Sequence, residues 1–245
     1  MLEIGSKILV ITGFPQDDGP NLEIVDIKDS NYHCTKVASF PVRLSGATGG
    51  LINGTPLVCG GNDRTNGKYP TSDCFVLDNS GTGWSTNGGL LEPRRYAGGN
   101  SVVINGKLIL SGGYGSAGRY TSIEMVSPDA SGVKLSVNLP KGLQGHCQVQ
   151  WDDTTVMIIG GFDGSYSTAT HFVDVGSEMI DSNGPTLNTA RYLHSCGELL
   201  ITTDTGTDAY IVVTGGSNHN SVLKSTEILK KTNNNDQEWK RGKNM

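Results

Sequence analysis

Two histidines, His146 and His194, come closest to a chemical site in this sequence. They occupy the same position of two consecutive repeats of the chain, and cysteines follow closely at Cys147 and Cys196. Imidazole nitrogens and thiolates are ligands that zinc, iron and copper favour. The sequence offers no third nitrogen or oxygen ligand beside them, so we expect neither a metal nor another cofactor.

Arginines form a second recurring set. Aligning the repeats superposes Arg43, Arg95 and Arg191, with Leu143 breaking the series. A guanidinium group can hold a carboxylate through two parallel hydrogen bonds, so this set suits an acidic ligand. The alternative role is structural, with the arginines bridging to acidic groups such as Glu92 or to backbone carbonyls. Four tyrosines in nearby loops would enrich a binding rim, or are ordinary exposed loop residues: Tyr69, Tyr114, Tyr120 and Tyr166.

The repeat that relates these residues is marked by a glycine pair after an apolar run. The pairs are Gly60-Gly61, Gly112-Gly113, Gly160-Gly161 and Gly215-Gly216, with Thr12-Gly13 as a degenerate first copy. The second residue of the pair recurs at spacings of 48, 52, 48 and 55 residues. A unit of this length repeated along the chain indicates a repeat architecture.

Each repeat contains the pattern of short β-strands. The apolar run before the glycines predicts a second strand at Ile8–Ile11, Leu57–Cys59, Leu108–Leu110, Val156–Ile159 and Ile211–Val213. Tight turns that pair it with a first strand are predicted at Gly5-Ser6, Asn53-Gly54, Asn105-Gly106, Asp153-Thr154 and Asp208-Ala209.

A third strand is predicted where polar and apolar residues alternate, over 21–27, 72–78, 122–128, 169–175 and 225–231. Glu23, Glu124, His171 and Glu227 share one position of this strand, and Phe75 is placed at the next. A weaker fourth strand, with a tryptophan shortly before a glycine, is predicted within 83–93 and 238–245.

Four antiparallel strands per unit, a glycine pair after the second and a tryptophan in the fourth resemble the kelch repeat. The resemblance extends over residues 1–245 as one domain and implies an all-β, kelch-type β-propeller. Five four-stranded blades are expected, at about 1–42, 43–93, 94–142, 143–190 and 191–245. The alternative is a segment of a six-bladed propeller. The glycine pairs would let neighbouring backbones approach closely.

The resemblance also implies a function. In kelch proteins that bind acidic peptide segments, arginines at the position of Arg43, Arg95 and Arg191 project into the mouth of the central channel, whereas histidines at the position of His146 commonly pack and hydrogen-bond. We therefore expect a non-enzymatic module that binds a protein partner at this face, through these arginines, the four tyrosines and the two histidines. The alternative is a small-molecule or metal-dependent propeller enzyme centred on His146 and His194.

Composition narrows the other classes. A net charge of −5 and a pI near 5.5 disfavour a nucleic-acid binder. No apolar run approaches the ~18 residues of a membrane span, and no secretory signal is visible, so neither a membrane nor a nucleic acid is an expected partner.

Five cysteines, an odd number, do not indicate a disulfide framework. Reduced thiols and a cytoplasmic location are the expectation, with an extracellular location not excluded. Cys59 and Cys74 could be near neighbours within one repeat, and a disulfide there would imply an oxidising compartment. Asn53-Gly54-Thr55 matches a glycosylation acceptor, but a structural turn is the expected role.

Overall fold

The computed structural model describes residues 39–78, 81–86, 88–204, 206–232 and 237–242, together with the backbone of four strands between residues 2 and 36. These residues contain strands, turns and irregular segments and no helix. The fold is therefore all-β, as the sequence predicts. Within these residues, no helix is long and apolar enough to cross a membrane.

In the described ranges, five four-stranded antiparallel sheets follow one another along the chain. Sheet 1 contains β1 (Leu2–Ile4), β2 (Lys7–Ile11), β3 (Leu22–Asp26) and β4 (Cys34–Lys36). A two-stranded ribbon pairs β5 (Leu44–Ser45) with β8 (Asn62–Asp63), and sheet 2 contains β6 (Thr48–Ile52), β7 (Thr55–Cys59), β9 (Cys74–Leu77) and β10 (Trp84–Ser85).

The later sheets repeat this order. Sheet 3 contains β11 (Val103–Ile104), β12 (Lys107–Ser111), β15 (Ser122–Val126) and β16 (Gly132–Asn138). The segment between β12 and β15 forms a separate two-stranded ribbon of β13 (Tyr114–Gly115) and β14 (Gly118–Arg119). Sheet 4 contains β17 (Cys147–Gln150), β18 (Thr155–Ile159), β19 (Thr170–Asp174) and β20 (Met179–Asp181). Sheet 5 contains β21 (Ser195–Thr203), β22 (Gly206–Thr214), β23 (Thr226–Lys230) and β24 (Lys240–Arg241).

In every four-stranded sheet the strands lie in chain order, each antiparallel to the next. The second and third strands lie where the sequence predicts them. The turn predicted at Asp208-Ala209 is wrong, because these residues lie inside β22 and the hairpin continues until Thr203 pairs with Gly206. Such repeated four-stranded meanders are compatible with a β-propeller.

Buried apolar side chains join consecutive sheets. One cluster places Leu57 of sheet 2 with Leu108 of sheet 3, and a second places Ile109 of sheet 3 with Ile158 of sheet 4. A third packs Met157 of sheet 4 against Ile211 of sheet 5. Because these second-strand residues alternate between the two faces, the continuous apolar runs before the glycine pairs are covered on both sides.

The glycine pairs lie where one sheet contacts the segment that leads into the first strand of the next sheet. Gly113 donates a backbone hydrogen bond to the Leu143 carbonyl, with nitrogen and oxygen 2.7 Å apart. A Cβ added to Gly112, which has a φ of 57°, would lie 2.3 Å from that same carbonyl oxygen. The pair therefore provides both the left-handed backbone and the close approach that this contact requires.

Two disulfides correct the expectation of reduced thiols. Cys59 and Cys74 are directly opposite each other on β7 and β9 and are bonded, with Cα atoms 4.1 Å apart. Cys147 and Cys196 join the first strands of sheets 4 and 5, with Cα atoms 5.9 Å apart. The sequence suggested the first pair as neighbours and gave no reason to pair the second.

Candidate functional site at the loop face

The glycine pairs mark one end of the sheets, which we call the loop face. It carries the segments that lead into each first strand and those that join second to third strands. Four residues with positive φ form a chain of backbone hydrogen bonds across it. The bonds run from Tyr96 to Gly46, from Gly145 to Tyr96 and from Leu193 to Gly145, at 2.8, 2.9 and 2.8 Å. These residues therefore occupy equivalent positions in four consecutive repeats.

This equivalence corrects the alignment of the arginines. Two residues before each positive-φ position stand Leu44, Arg94, Leu143 and Arg191. Arg191 is thus equivalent to Arg94, whereas Arg95 and Arg43 occupy other positions. The three arginines of the sequence prediction do not form one set.

Arg94 is a structural residue at the base of the loop face. Its side chain is fully buried and pairs with buried Glu124 at 2.6 Å. One guanidinium nitrogen also donates to the Gly112 carbonyl at 2.7 Å. Glu124 accepts the backbone N–H groups of Leu91 and Glu92. The ion pair therefore connects the third strand, the glycine pair and the chain leading into the first strand.

Arg191 makes the same contacts in sheet 5. It pairs with Glu227 at 2.7 Å and donates to the Gly215 carbonyl at 2.9 Å, and it too is fully buried. A buried guanidinium with these partners is not available to a ligand. The structure thus places Arg191 in the structural role that the sequence left as the alternative.

Where the arginine is missing, its glutamate is missing as well. Leucines stand at the arginine position of the other two sheets, Leu44 in sheet 2 and Leu143 in sheet 4. The third-strand position that holds Glu124 in sheet 3 and Glu227 in sheet 5 holds Phe75 in sheet 2 and His171 in sheet 4. Phe75 was predicted one position away from this site. Leu44 and Phe75 belong to one buried cluster, so sheet 2 has an apolar version of the ion pair.

A cavity of about 240 Å³ opens among the residues of the hydrogen-bonded chain. Its lining includes Tyr96 and Leu193, both predicted histidines and several glycines. His146 Nε2 lies 2.8 Å from the Ser111 hydroxyl, which itself donates to the Gln148 side-chain oxygen at 2.7 Å. Because the Ser111 hydroxyl donates its proton to Gln148, it can only accept from His146, so the imidazole proton is on Nε2. Nδ1 of His146 is left as a buried acceptor without a partner.

His194 lies beside this network and is 4% exposed. Neither ring nitrogen has a hydrogen-bond partner of good geometry, although the Ile159 carbonyl is close enough to favour the protonated ring slightly. The cysteines that the metal hypothesis needed, Cys147 and Cys196, are bonded to each other and are not thiolates. No group of three or more potential metal-ligating side chains occurs within the described ranges.

The two histidines should make stability depend on pH. Burial lowers the pKa of both to about 3. His194 and His171 lower the pKa of His146 further, and the charge of Arg191 lowers that of His194 further. Above pH 7 they are neutral whether the chain is folded or unfolded. As pH falls below about 6.5, only the unfolded chain takes up protons, and stability should fall by about 1.4 kcal/mol per pH unit for each histidine.

Urea midpoints between pH 7.5 and 5 measure this effect. The unaltered chain should lose stability across this range, and a variant carrying His146→Gln and His194→Gln should show a much flatter profile. Equal slopes for the two proteins would show that these histidines do not carry the pH dependence.

Arg95 is the predicted arginine that the structure places next to a residue of the cavity lining. Its guanidinium carbon lies 5.4 Å from the ring centre of Tyr96, a cavity residue, and 5.3 Å from that of Tyr114. Its Nε is buried and has no hydrogen-bond partner. Among the described residues no carboxylate is within ion-pair distance of it. Arg95 is therefore a cation held in place by two aromatic rings, and it has no anionic partner in the part of the chain that the structure describes.

Aromatic rings continue from Arg95 along the loop face. Tyr166 contacts Phe162, Tyr192 and His219, at ring-centre distances of 5.4, 6.2 and 4.5 Å. Burial raises the pKa of Tyr192, with Tyr96 adding to the shift and the charge of Arg95 opposing it, which places Tyr192 near both. We call these aromatic residues the aromatic rim: Tyr96, Tyr114, Phe162, Tyr166, Tyr192 and His219.

The remaining predicted residues lie outside this group. Arg43 is exposed, and its backbone bonds to the loop after β8 through Thr65 and Arg64. Tyr69 is 60% exposed in that same loop. The ring of Tyr120 lies 5.1 Å from the guanidinium carbon of buried Arg94, so Tyr120 covers the structural ion pair.

Sequence reasoning missed four residues of the site, namely Tyr96, Phe162, Tyr192 and His219. Phe162 directly follows a glycine pair, and Tyr192 directly follows Arg191, so the repeat itself marks their positions. No family model matches the chain, and no curated protein is recognisably similar to it.

Proposed function

We propose that this chain is a kelch-type β-propeller of five blades that acts as a non-enzymatic protein-interaction module. Its loop face binds an acidic segment of a protein partner over the cavity and the aromatic rim. The proposal rests on the kelch-like repeat for the architecture and on the placement of Arg95 for the ligand.

Arg95 is the observation that carries the ligand class. Arg95 is a half-buried cation whose guanidinium is held beside the rings of Tyr96 and Tyr114, so it is prepared to donate hydrogen bonds to a carboxylate at little conformational cost. A second cation, Arg119, lies over the Phe162 ring, with its guanidinium carbon 5.3 Å from the ring centre. Arginine and tyrosine together are the residue types that dominate binding energy at protein interfaces.

The cavity favours a side chain or peptide group over a reacting substrate. The low pKa of His146 and of His194 keeps both imidazoles neutral at physiological pH. Because the Nε2–H of His146 bonds to Ser111, His146 offers a peptide only its Nδ1 acceptor, whereas His194 offers one donor and one acceptor. A peptide could place a carboxylate on Arg95 and a polar or small group in the cavity.

Peptide selection followed by titration tests this proposal. Acidic twelve-residue peptides displayed on phage would be selected on the immobilised chain, and the most enriched peptide synthesised with a fluorescent label. Arg95→Ala should weaken its binding roughly ten- to a hundredfold, since hydrogen bonds to a charged group contribute about 1.5–3 kcal/mol.

Lys107→Ala is the matched control, because it removes one positive charge beside the Asn105-Gly106 turn at the opposite end of sheet 3. It should leave the affinity unchanged. Failure to enrich any acidic peptide, or equal affinity of the Arg95→Ala variant and the unaltered chain, would contradict the proposal.

A further inference from the structure

The turn between β6 and β7 carries a modification motif that the proposed function does not use. Asn53, Gly54 and Thr55 form the only Asn-X-Ser/Thr sequence in the chain. Asn53 and Gly54 have φ values of 51° and 80° and form the tip of a tight hairpin in which Ile52 pairs with Thr55. The turn prediction is therefore confirmed, and it is compatible with a second role.

The tip of this hairpin is open to a large attached group. Asn53 and Gly54 are both exposed, and no atom lies within 4 Å of the position of a Cβ on Gly54. The turn lies at the opposite end of β7 from Gly60 and Gly61, which places it about 17 Å from the loop face at ~3.4 Å per residue. A group attached here would leave the cavity and the aromatic rim uncovered.

The two disulfides are an independent observation that points to the same compartment. Disulfides such as Cys59–Cys74 and Cys147–Cys196 form and persist in secreted and luminal proteins and are rare in the cytosol. Asn-X-Thr acceptors are modified in secreted proteins, on surface loops. The acceptor motif and the disulfides are therefore expected to occur together.

We propose that the chain matures in an oxidising compartment and carries an N-linked oligosaccharide on Asn53. A membrane transferase joins the Asn53 side-chain nitrogen to the first sugar of a lipid pyrophosphate oligosaccharide. The new nitrogen–carbon bond replaces the bond from that sugar to phosphate, the lipid pyrophosphate leaves, and the amide loses one proton. Each disulfide forms as two thiols give two electrons and two protons to an oxidised protein disulfide donor. This proposal does not depend on the binding function.

The chain contains a comparison site of the same shape. Asn105 and Gly106 have φ values of 50° and 68° and form the corresponding turn of sheet 3, but Lys107 follows them and completes no acceptor. Lys107→Thr should therefore create a second site in the same turn geometry. Asn53→Asp should remove the natural site while keeping a residue that tolerates the left-handed backbone.

Translation of the full chain, joined to a cleavable secretory leader, in the presence of endoplasmic-reticulum microsomes tests the proposal. Chains that enter the microsomes, and are therefore protected from added protease, would be compared by gel mobility with and without treatment by a peptide N-glycosidase. The unaltered chain should carry one glycan on most molecules, the Asn53→Asp variant none and the Lys107→Thr variant two. Alkylation before and after reduction should show four cysteines that react only after reduction.

Each result decides the proposal. If the unaltered chain entered the microsomes but gained no glycan, the assignment to Asn53 would be overturned. A glycan on the Lys107→Thr variant in the same experiment would make that result firmer. A glycosylated chain whose five cysteines all react without reduction would overturn the oxidising compartment as the origin of the two disulfides. The same outcome for the Asn53→Asp variant and the unaltered chain would place any glycan elsewhere.

Discussion

Arg94→Leu should destabilise the protein by about 3–5 kcal/mol, because it leaves the buried Glu124 carboxylate without its cation. Glu124 would retain only the N–H groups of Leu91 and Glu92. The midpoint of chemical unfolding, followed by tryptophan fluorescence, measures the loss. Lys68→Ala is the control, because it breaks the ion pair of Lys68 with Asp73, whose side chains are 49% and 30% exposed. It should lower the free energy of unfolding by less than about 1 kcal/mol.

A second substitution should recover most of that stability. The double variant Arg94→Leu with Glu124→Phe gives sheet 3 the residues that sheet 2 already has at Leu44 and Phe75. Replacing a buried ion pair by packed apolar side chains is often neutral. A double variant as unstable as the single one would refute the equivalence of the two arrangements.

Gly112→Ala should destabilise the protein by about 2–5 kcal/mol, the combined cost of a left-handed alanine and of overpacking. The new Cβ would lie 2.3 Å from the Leu143 carbonyl oxygen, so sheets 3 and 4 would have to separate and weaken the bond from Gly113 to Leu143. Unfolding midpoints again measure the change.

Gly106→Ala separates the two costs. Gly106 has a φ of 68°, close to the 57° of Gly112, but nothing lies within 4 Å of its Cβ position. It should lose only the backbone term of about 1–2 kcal/mol. If the two variants were equally destabilised, the close contact between sheets would not be the reason for the glycine pair.

The repeat could be predicted from the sequence because its signals are local. An apolar run that ends on two glycines, such as the run into Gly112-Gly113, specifies a buried second strand and the close contact after it. The Asn53-Gly54 and Asn105-Gly106 turns follow from residue types that tolerate positive φ. These local rules fix most strands without any knowledge of the tertiary contacts.

The position of the arginines could not be predicted in the same way. Sheets 2 and 3 have the same two-residue turn between first and second strands, but the segment leading into the first strand differs in length. Ile52 follows Leu44 by 8 residues (52 − 44) and Ile104 follows Arg94 by 10 (104 − 94), so one fixed count back from the glycines is wrong by one residue in each sheet. Only the hydrogen bonds that join Gly46, Tyr96, Gly145 and Leu193 fix the equivalence. That single residue separates buried Arg94 from Arg95, whose guanidinium lies beside the ring of the cavity residue Tyr96.

The second disulfide was also beyond the sequence. Cys147 and Cys196 are 49 residues apart and belong to different sheets, so their pairing depends on how sheets 4 and 5 pack. Cys59 and Cys74 lie on adjacent strands of one repeat, which is why the sequence could suggest them as neighbours.

Hydrogen–deuterium exchange with the selected acidic peptide tests the binding of an acidic segment at the loop face most directly. We predict slower exchange in the segments at 95–99, 114–120 and 192–195 when the peptide is bound, with no change at the Asn53 and Asn105 turns. Protection confined to those turns or to outer strands such as β16 and β20 would contradict the account.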